Sequence, residues 1–179
     1  MTPCQNIGPA GGQAAVSIRI NMPEGDESQV ERVATDICCL VDVSGSMCSA
    51  AKYENCDGIE CEDGFSALDI VKHAINAVMN MCSENDRVSL VVFSDNAEVV
   101  FPLTKMTEQG RIKCHNLLSA QKPGGRTNLW DGILAAMETL RSDVSEPGLR
   151  RKIIMLLTDG EPTIEPPHGY VPELKNYMD

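Results

Sequence analysis

No stretch of this 179-residue chain approaches the roughly 20 consecutive apolar residues that a helix needs to span a bilayer. A membrane-spanning helix is therefore not expected. Basic charge is also scarce, with 15 Lys and Arg against 26 Asp and Glu and a formal net charge of -11. Surfaces that track phosphates concentrate Lys and Arg to release counterions, so nucleic acid is not an expected partner, and anionic membrane surfaces are disfavoured for the same reason. The opening residues MTPCQNIGPAGGQAAV lack the basic start and apolar stretch of a secretory signal. They point to a cytoplasmic protein, with a mature extracellular fragment as the alternative. Eight cysteines are present. A chain of this size does not need disulfide staples, and Cys38-Cys39 fall inside an apolar strand pattern, so reduced thiols are the expectation.

What is present is enough apolar sequence, 42% of residues, for one domain with a single core. Residues 1–32 read as an N-terminal arm in which only Val16–Ile20 alternates as a strand would, and residues 33–179 read as the domain. Asp36 to Asp42 has the continuous apolar centre of a strand buried on both faces, and Ile153–Leu157 looks like a second, central one. Between them lie several further elements. Ser66 with Asp69 resembles a helix N-cap, followed by apolar residues at helical spacing from Leu68 to Cys82. Arg87–Ser94 and Ala97–Leu103 flank the turn pair Asp95-Asn96 as an antiparallel hairpin. Helices are expected over 107–120 and from Thr127, the latter with a stripe of Leu129, Ile133, Met137 and Leu140. Cys48 to Phe65 reads as an irregular exposed insertion. Strands alternating with helices give an α/β, Rossmann-like, open and mostly parallel sheet with one antiparallel hairpin strand.

Two of the most hydrophobic strands end in an acid, Asp42 and Asp159, and in open α/β sheets ligands bind beyond the carboxyl ends of the strands. Ser44 and Ser46 follow the first strand, and Thr127 begins a helix after a glycine pair. These are all hard oxygen donors, which suit Mg²⁺, with Mn²⁺ or Ca²⁺ as substitutes, and not zinc or copper. The bland readings are ordinary polar turns for Asp42, Ser44, Ser46 and Asp159, and a helix N-cap for Thr127. Asp42 and Ser46 are expected at loop ends outside the core.

Asp42-Val43-Ser44-Gly45-Ser46 resembles the DxSxS motif of von Willebrand factor A-type domains, and Thr127 in GGRT and Asp159 in LLTDG match that family's remaining elements. The resemblance covers about Val33 to Pro162. It implies an intact metal-ion-dependent adhesion site at Asp42, Ser44, Ser46, Thr127 and Asp159. Neutral hydroxyls leave much of the cation's charge uncompensated, and one coordination position remains for a carboxylate from outside. The implied activity is metal-dependent binding of a protein partner that presents an Asp or Glu, not catalysis. ICCLVDVSGSM and TDGEPTIEPPHGYVP most resemble intracellular members of the family. Some of those carry U-box and hedgehog/intein-like modules, which ties this chain to ubiquitin only by analogy.

Other readings compete. A Mg²⁺-dependent phosphotransferase of the haloacid dehalogenase type would use Asp42 as nucleophile, but Ser44 stands where that chemistry needs a second Asp as acid and base. Ser44 lacks the flanking glycines of a G-x-S-x-G hydrolase, and GGRT lacks the lysine of a phosphate-binding loop. A metal that merely ties loops together is a third reading. Cys48, Cys56 and Cys61 suggest a partial zinc cluster without an evident fourth ligand. His73 and His115 fall on helices and His168 in a Pro-rich loop, with no role suggested. Met47, Met79, Met81 and Met137 read as core filler. The last residues, from Gly160, contain four prolines and at most one short helix near Glu173–Met178. The expectation is therefore a domain short of its last helices and strands, with Ile153–Leu157 left with an unpaired edge.

Overall fold

A computed structural model of the chain describes residues 32–54, 60–142 and 149–178. The possible strand at 16–20 and Cys56 lie outside the described residues. The first element, β1 (Thr35–Asp42), has no polar face to offer water and is buried along its length. It is flanked on both sides. β4 (Arg87–Phe93) pairs with it in parallel from Asp36↔Arg87 to Asp42↔Phe93, and β6 (Arg151–Leu157) in parallel from Thr35↔Arg151 to Val41↔Leu157. β5 (Ala97–Lys105) adds antiparallel to β4 through the expected hairpin, giving the sheet order β5-β4-β1-β6. The architecture is a mostly parallel sheet flanked by helices, with one antiparallel hairpin.

The two-residue period of β1 splits the core into two layers. Cys39 and Val41 face one way, onto Leu68, Ile75 and Met79 of α1 (Ala67–Met81) and Cys114 and Leu118 of α2 (Glu108–Ser119). Cys38 and Leu40 face the other way, onto Ala136 and Leu140 of α3 (Leu129–Arg141). α1 starts where Ser66 and Asp69 form a capping box, the Ser66 hydroxyl accepting the Asp69 amide at 3.1 Å and the Asp69 carboxylate accepting the Ser66 amide at 3.0 Å. On α3 two of the three buried residues, Gly132 and Ala136, are small. A Cβ on Gly132 would lie 2.9 Å from the Phe93 ring and 3.1 Å from Leu40 Cδ1, so the helix sits closer to the sheet than any side chain there would permit. The buried stripe is thus Gly132, Ala136 and Leu140, with Leu129 and Ile133 packed at its margin.

Three sequence expectations need correction. Ile153–Leu157 has the open edge expected of it among the described residues, but it is not buried on both faces: Ile153, Ile154 and Leu156 remain 40%, 38% and 41% exposed. It is an apolar run like that of β1, but burial on both faces depends on neighbours, and among the described residues β6 has a strand on one side only. The stretch after Cys48 is not irregular: β2 (Ala50–Glu54) and β3 (Glu60–Ser66) form an antiparallel hairpin. Its polar residues carry no alternation because neither face is buried in the core. Met81 is 80% exposed, beyond the buried face of α1, while Met47 and Met79 are core residues. The last helix, α4 (Tyr170–Met178), begins slightly earlier than expected. Among the described cysteines, Cys38, Cys39, Cys48 and Cys114 are free thiols. Among the described residues no helix is long and apolar enough to cross a membrane.

At the amino-terminal ends of the parallel strands, Asp36 is fully buried and receives Arg87 Nε at 2.8 Å, Arg87 Nη2 at 2.7 Å and Arg150 Nε at 2.7 Å. Arg150 also donates Nη2 to the Asn85 carbonyl at 2.7 Å. This network links β1 to the starts of β4 and β6, at the opposite end of the strands from Asp42 and Asp159.

Candidate metal centre

Because β1 and β6 run parallel as neighbours, the chain leaves both at the same edge of the sheet, with Asp42 ending one strand and Thr158-Asp159-Gly160 following the other. Beyond Asp42 the backbone enters a single 3-10 turn, Gly45–Cys48, which places Met47 in the core and turns Ser46 outward. The third loop, between α2 and α3, is fastened directly to this one. The Gly124 amide donates to the Val43 carbonyl at 2.7 Å and the Gly45 amide to the Gly125 carbonyl at 3.0 Å.

Gly125 has a φ of 81°, and a Cβ there would lie 2.5 Å from Asp95 Oδ2, so the loop needs glycine for both conformation and space. Its neighbour Arg126 closes on the β4–β5 turn, Nε to Asp95 Oδ1 at 2.7 Å, and that hydrogen bond holds the Asp95 carboxyl below the usual carboxylate range.

The hydroxyls and carboxylates of these loops form a continuous chain. The Ser44 amide donates to Asp42 Oδ1 at 2.8 Å, the Ser44 and Ser46 hydroxyl oxygens are 3.1 Å apart, and Ser46 Oγ donates to Asp159 Oδ1 at 2.9 Å. The structure therefore brings Asp42, Ser44, Ser46 and Asp159 into one hydrogen-bonded group. Thr127 joins through its backbone: it follows the two glycines tied to Val43 and Gly45, its amide donates to Thr163 Oγ1 at 2.8 Å, and its carbonyl accepts from the amides of Thr163 and Ile164 at 3.0 and 3.2 Å. Thr127 is not the helix cap. That role belongs to Asn128, whose side-chain oxygen accepts the Asp131 amide at 3.3 Å. The Thr127 side chain is thus left out of capping.

Two features were not visible in the sequence. Asp42 is 0% exposed, not at an open loop end, because β1 continues to its last residue between β4 and the β6 loop. Its second carboxylate oxygen is held by Thr158, whose hydroxyl donates to Asp42 Oδ2 at 2.6 Å. Thr158 lies one step beyond the last β1–β6 pair, Val41↔Leu157, a neighbour relation that only the strand order reveals.

The donor set fits a hard divalent cation. The carboxylates of Asp42 and Asp159 and the hydroxyls of Ser44 and Ser46 are gathered in one group, with oxygen the only ligating element, and Thr127 is tied in beside them through its backbone. Among the described residues no group of three or more His, Cys, Asp or Glu side chains is placed to hold a metal, and of the cysteines weighed for zinc, Cys48 is exposed and Cys61 half-buried. The sites of His73, His115 and His168 are local: His73 meets the Phe65 ring edge-on, His115 Nδ1 pairs with Asn76 Oδ1 at 2.9 Å, and His168 Nδ1 with Glu173 Oε1 at 2.6 Å.

The chain resembles several known proteins. The inter alpha-trypsin inhibitor heavy chain 4 of Mus musculus is 33% identical over 136 residues, 74% of this chain and 13% of that one. A probable E3 ubiquitin-protein ligase of Arabidopsis thaliana, WAVH2, is 30% identical over 108 residues, 58% of this chain and 15% of that one. The chain therefore spans less than one sixth of the length of either relative. Among solved structures, the pilus adhesin SpaC of Lactobacillus rhamnosus GG aligns with a TM-score of 0.57 at 25% identity, over 75% of this chain and 16% of that one. The family model of the von Willebrand factor type A domain matches residues 37–161, the stretch that runs from β1 through the whole oxygen cluster, and the chain belongs to that family.

Proposed function

We propose that this chain is a metal-dependent protein-binding module. Asp42, Ser44, Ser46, Thr127 and Asp159 would hold Mg²⁺, with Mn²⁺ or Ca²⁺ as substitutes, and an Asp or Glu carboxylate of a protein partner would complete the site. The observation that carries this reading is the hydroxyl–carboxylate chain from Ser44 through Ser46 to Asp159, which gathers hard oxygen donors from separate loops at the carboxyl edge of the sheet. The cation, when bound, supplies a Lewis-acidic point of attachment for an anionic oxygen. The protein's part is to offer mostly neutral donors, so that the local charge stays positive enough to attract a further carboxylate. Exposed Ser46 and Asp159 form the open side of the cluster, and buried Asp42 its base.

Binding is favoured over phosphotransfer at Asp42. Both of its oxygens already accept hydrogen bonds, from the Ser44 amide and the Thr158 hydroxyl, and its full burial leaves little room for in-line attack. The names of the relatives lend support at the level of adhesion, since SpaC is a pilus adhesin. A tie to ubiquitin transfer rests on the name of the Arabidopsis relative alone. A cytoplasmic location is part of the same reading, supported by the thiols of Cys38, Cys39, Cys82 and Cys114, which pack as core hydrophobes.

The test is affinity capture with the immobilised chain, with and without chelator, comparing wild type with Ser46→Ala. The expected result is a partner retained by wild type in Mg²⁺ and lost both with chelator and with Ser46→Ala. Retention that ignores both changes contradicts the reading, and a site that binds metal while no capture depends on it reduces the metal to a structural tie.

A further inference from the structure

Thr158 belongs to none of the five positions that match the adhesion-site pattern, yet this exposed residue reaches the Asp42 carboxylate at the base of the cluster. Its hydroxyl is 2.6 Å from Asp42 Oδ2, across a separation of 116 residues. A hydroxyl that donates to a carboxylate makes a short, strong, charge-assisted bond, and this one lies on the base of the site, where Asp42 is fully buried. The bond does two things at once. It orients the Asp42 carboxylate, whose Oδ1 is already held by the Ser44 amide at 2.8 Å. It also fastens the loop after β6, so that Asp159, the next residue, meets Ser46 Oγ at 2.9 Å. Longer contacts of Thr158 Oγ1 with the Gly160 carbonyl and amide, at 3.5 and 3.4 Å, keep the turn folded around the same oxygen.

We propose, resting on the metal-binding reading above, that Thr158 is a positioning residue for the divalent cation: it fixes Asp42 and Asp159 in mutual register without ligating the ion itself. Groups that orient the ligands of a metal commonly alter affinity 10- to 100-fold when removed. β1 and β6 are joined by backbone pairing up to Val41↔Leu157, and Thr158 is the first side chain past that ladder able to carry the alignment into the loops. The hydroxyl is the working part. Serine retains it, whereas valine retains the shape and loses it.

The experiment is titration of Mg²⁺ and Mn²⁺ into the full chain by calorimetry, for wild type, Thr158→Ser and Thr158→Val, alongside thermal melting of each in chelator. Positioning predicts that Thr158→Ser binds within about three-fold of wild type and that Thr158→Val binds at least about ten-fold more weakly, at the low end of the range for such groups. The metal-free melting temperatures of the three should lie close together, with the metal-induced rise reduced for Thr158→Val alone. Equal affinity of Thr158→Val and wild type overturns the proposal. Equal weakening by both substitutions overturns it too, because packing and not the hydroxyl would then matter. A Thr158→Val chain that does not fold in chelator assigns the residue to the fold and likewise overturns it. Failure of wild type to bind either ion is a different result: it sinks the metal-binding reading itself.

Discussion

Ser46 Oγ and Asp159 Oδ1 lie 2.9 Å apart although 113 residues separate them in the chain. The contact joins the loop after β1 to the loop after β6, and both side chains are exposed, so it contributes little to the fold. Each of Ser46→Ala and Asp159→Ala should therefore shift stability by no more than about 0.5 kcal/mol, as for other surface substitutions, while abolishing or strongly weakening Mg²⁺ binding. Denaturant melts paired with metal titration check this. A large loss of stability with metal binding retained would mean that the pair is a structural latch.

Thr127 and Asn128 should divide two roles between adjacent residues. Asn128 caps α3 through the Asp131 amide and donates Nδ2 to the Asp95 carbonyl at 3.0 Å, so Asn128→Ala should cost about 1–2 kcal/mol. Thr127→Val keeps the shape of the side chain and should leave stability nearer wild type while weakening the metal. Chemical denaturation and metal titration of the two variants would show opposite profiles; a shared profile would contradict the division.

Asp36 sets the acid limit of the fold. Burial alone would raise its pKa, but hydrogen bonds from Arg87 and Arg150, with their charges, more than offset this and hold the carboxyl below its ordinary value of 3.8. A folded-state pKa below the unfolded one contributes stability that is present above the unfolded value and lost as pH falls through the folded one. The contribution should be intact at neutral pH and decline below about pH 4. Asp36→Asn removes the carboxylate that pairs with buried Arg87 and with Arg150, and breaking a buried ion pair from one side typically costs about 3–5 kcal/mol. Melting curves from pH 7 to pH 2 should show wild type losing stability in acid more steeply than Asp36→Asn; parallel curves would contradict this.

The open edge of β6 should govern self-association. Ile154 and Leu156 lie on one face of a strand that, among the described residues, is paired on one side only, and both are more than a third exposed. Substituting both by Thr keeps strand propensity and removes apolar surface. Light scattering at raised concentration should fall relative to wild type. Unchanged scattering would locate any self-association elsewhere.

What could be read from the sequence, and what could not, follows from how local the determining physics is. The β1 run, the Ser66–Asp69 cap and the Asp95-Asn96 hairpin depend on a few neighbouring residues, and each appears as expected. The candidate oxygen residues could be singled out because their types and order are distinctive, and Asp42, Ser44, Ser46 and Asp159 do meet in one hydrogen-bonded group. The open edge of β6 was legible, but its exposure was not, because Ile153-Ile154-Met155-Leu156-Leu157 reads the same whether or not helices cover its faces. The β2–β3 hairpin was invisible because backbone pairing, not an apolar face, defines it. Thr127 and Asn128 are both good caps by type, and the choice is made by Thr163, which engages the Thr127 backbone from 36 residues away. Thr158 could not be singled out without knowing that β6 lies beside β1.

The central claim is that the oxygen cluster binds a hard divalent cation. Calorimetric titration of Mg²⁺ into the metal-stripped chain, repeated with Ser46→Ala and with Zn²⁺ as competitor, tests it most directly. The expected result is a single saturable Mg²⁺ site in wild type, lost or greatly weakened in Ser46→Ala and not displaced by equimolar Zn²⁺. No saturable binding, binding indifferent to Ser46, or displacement of Mg²⁺ by Zn²⁺ would contradict it.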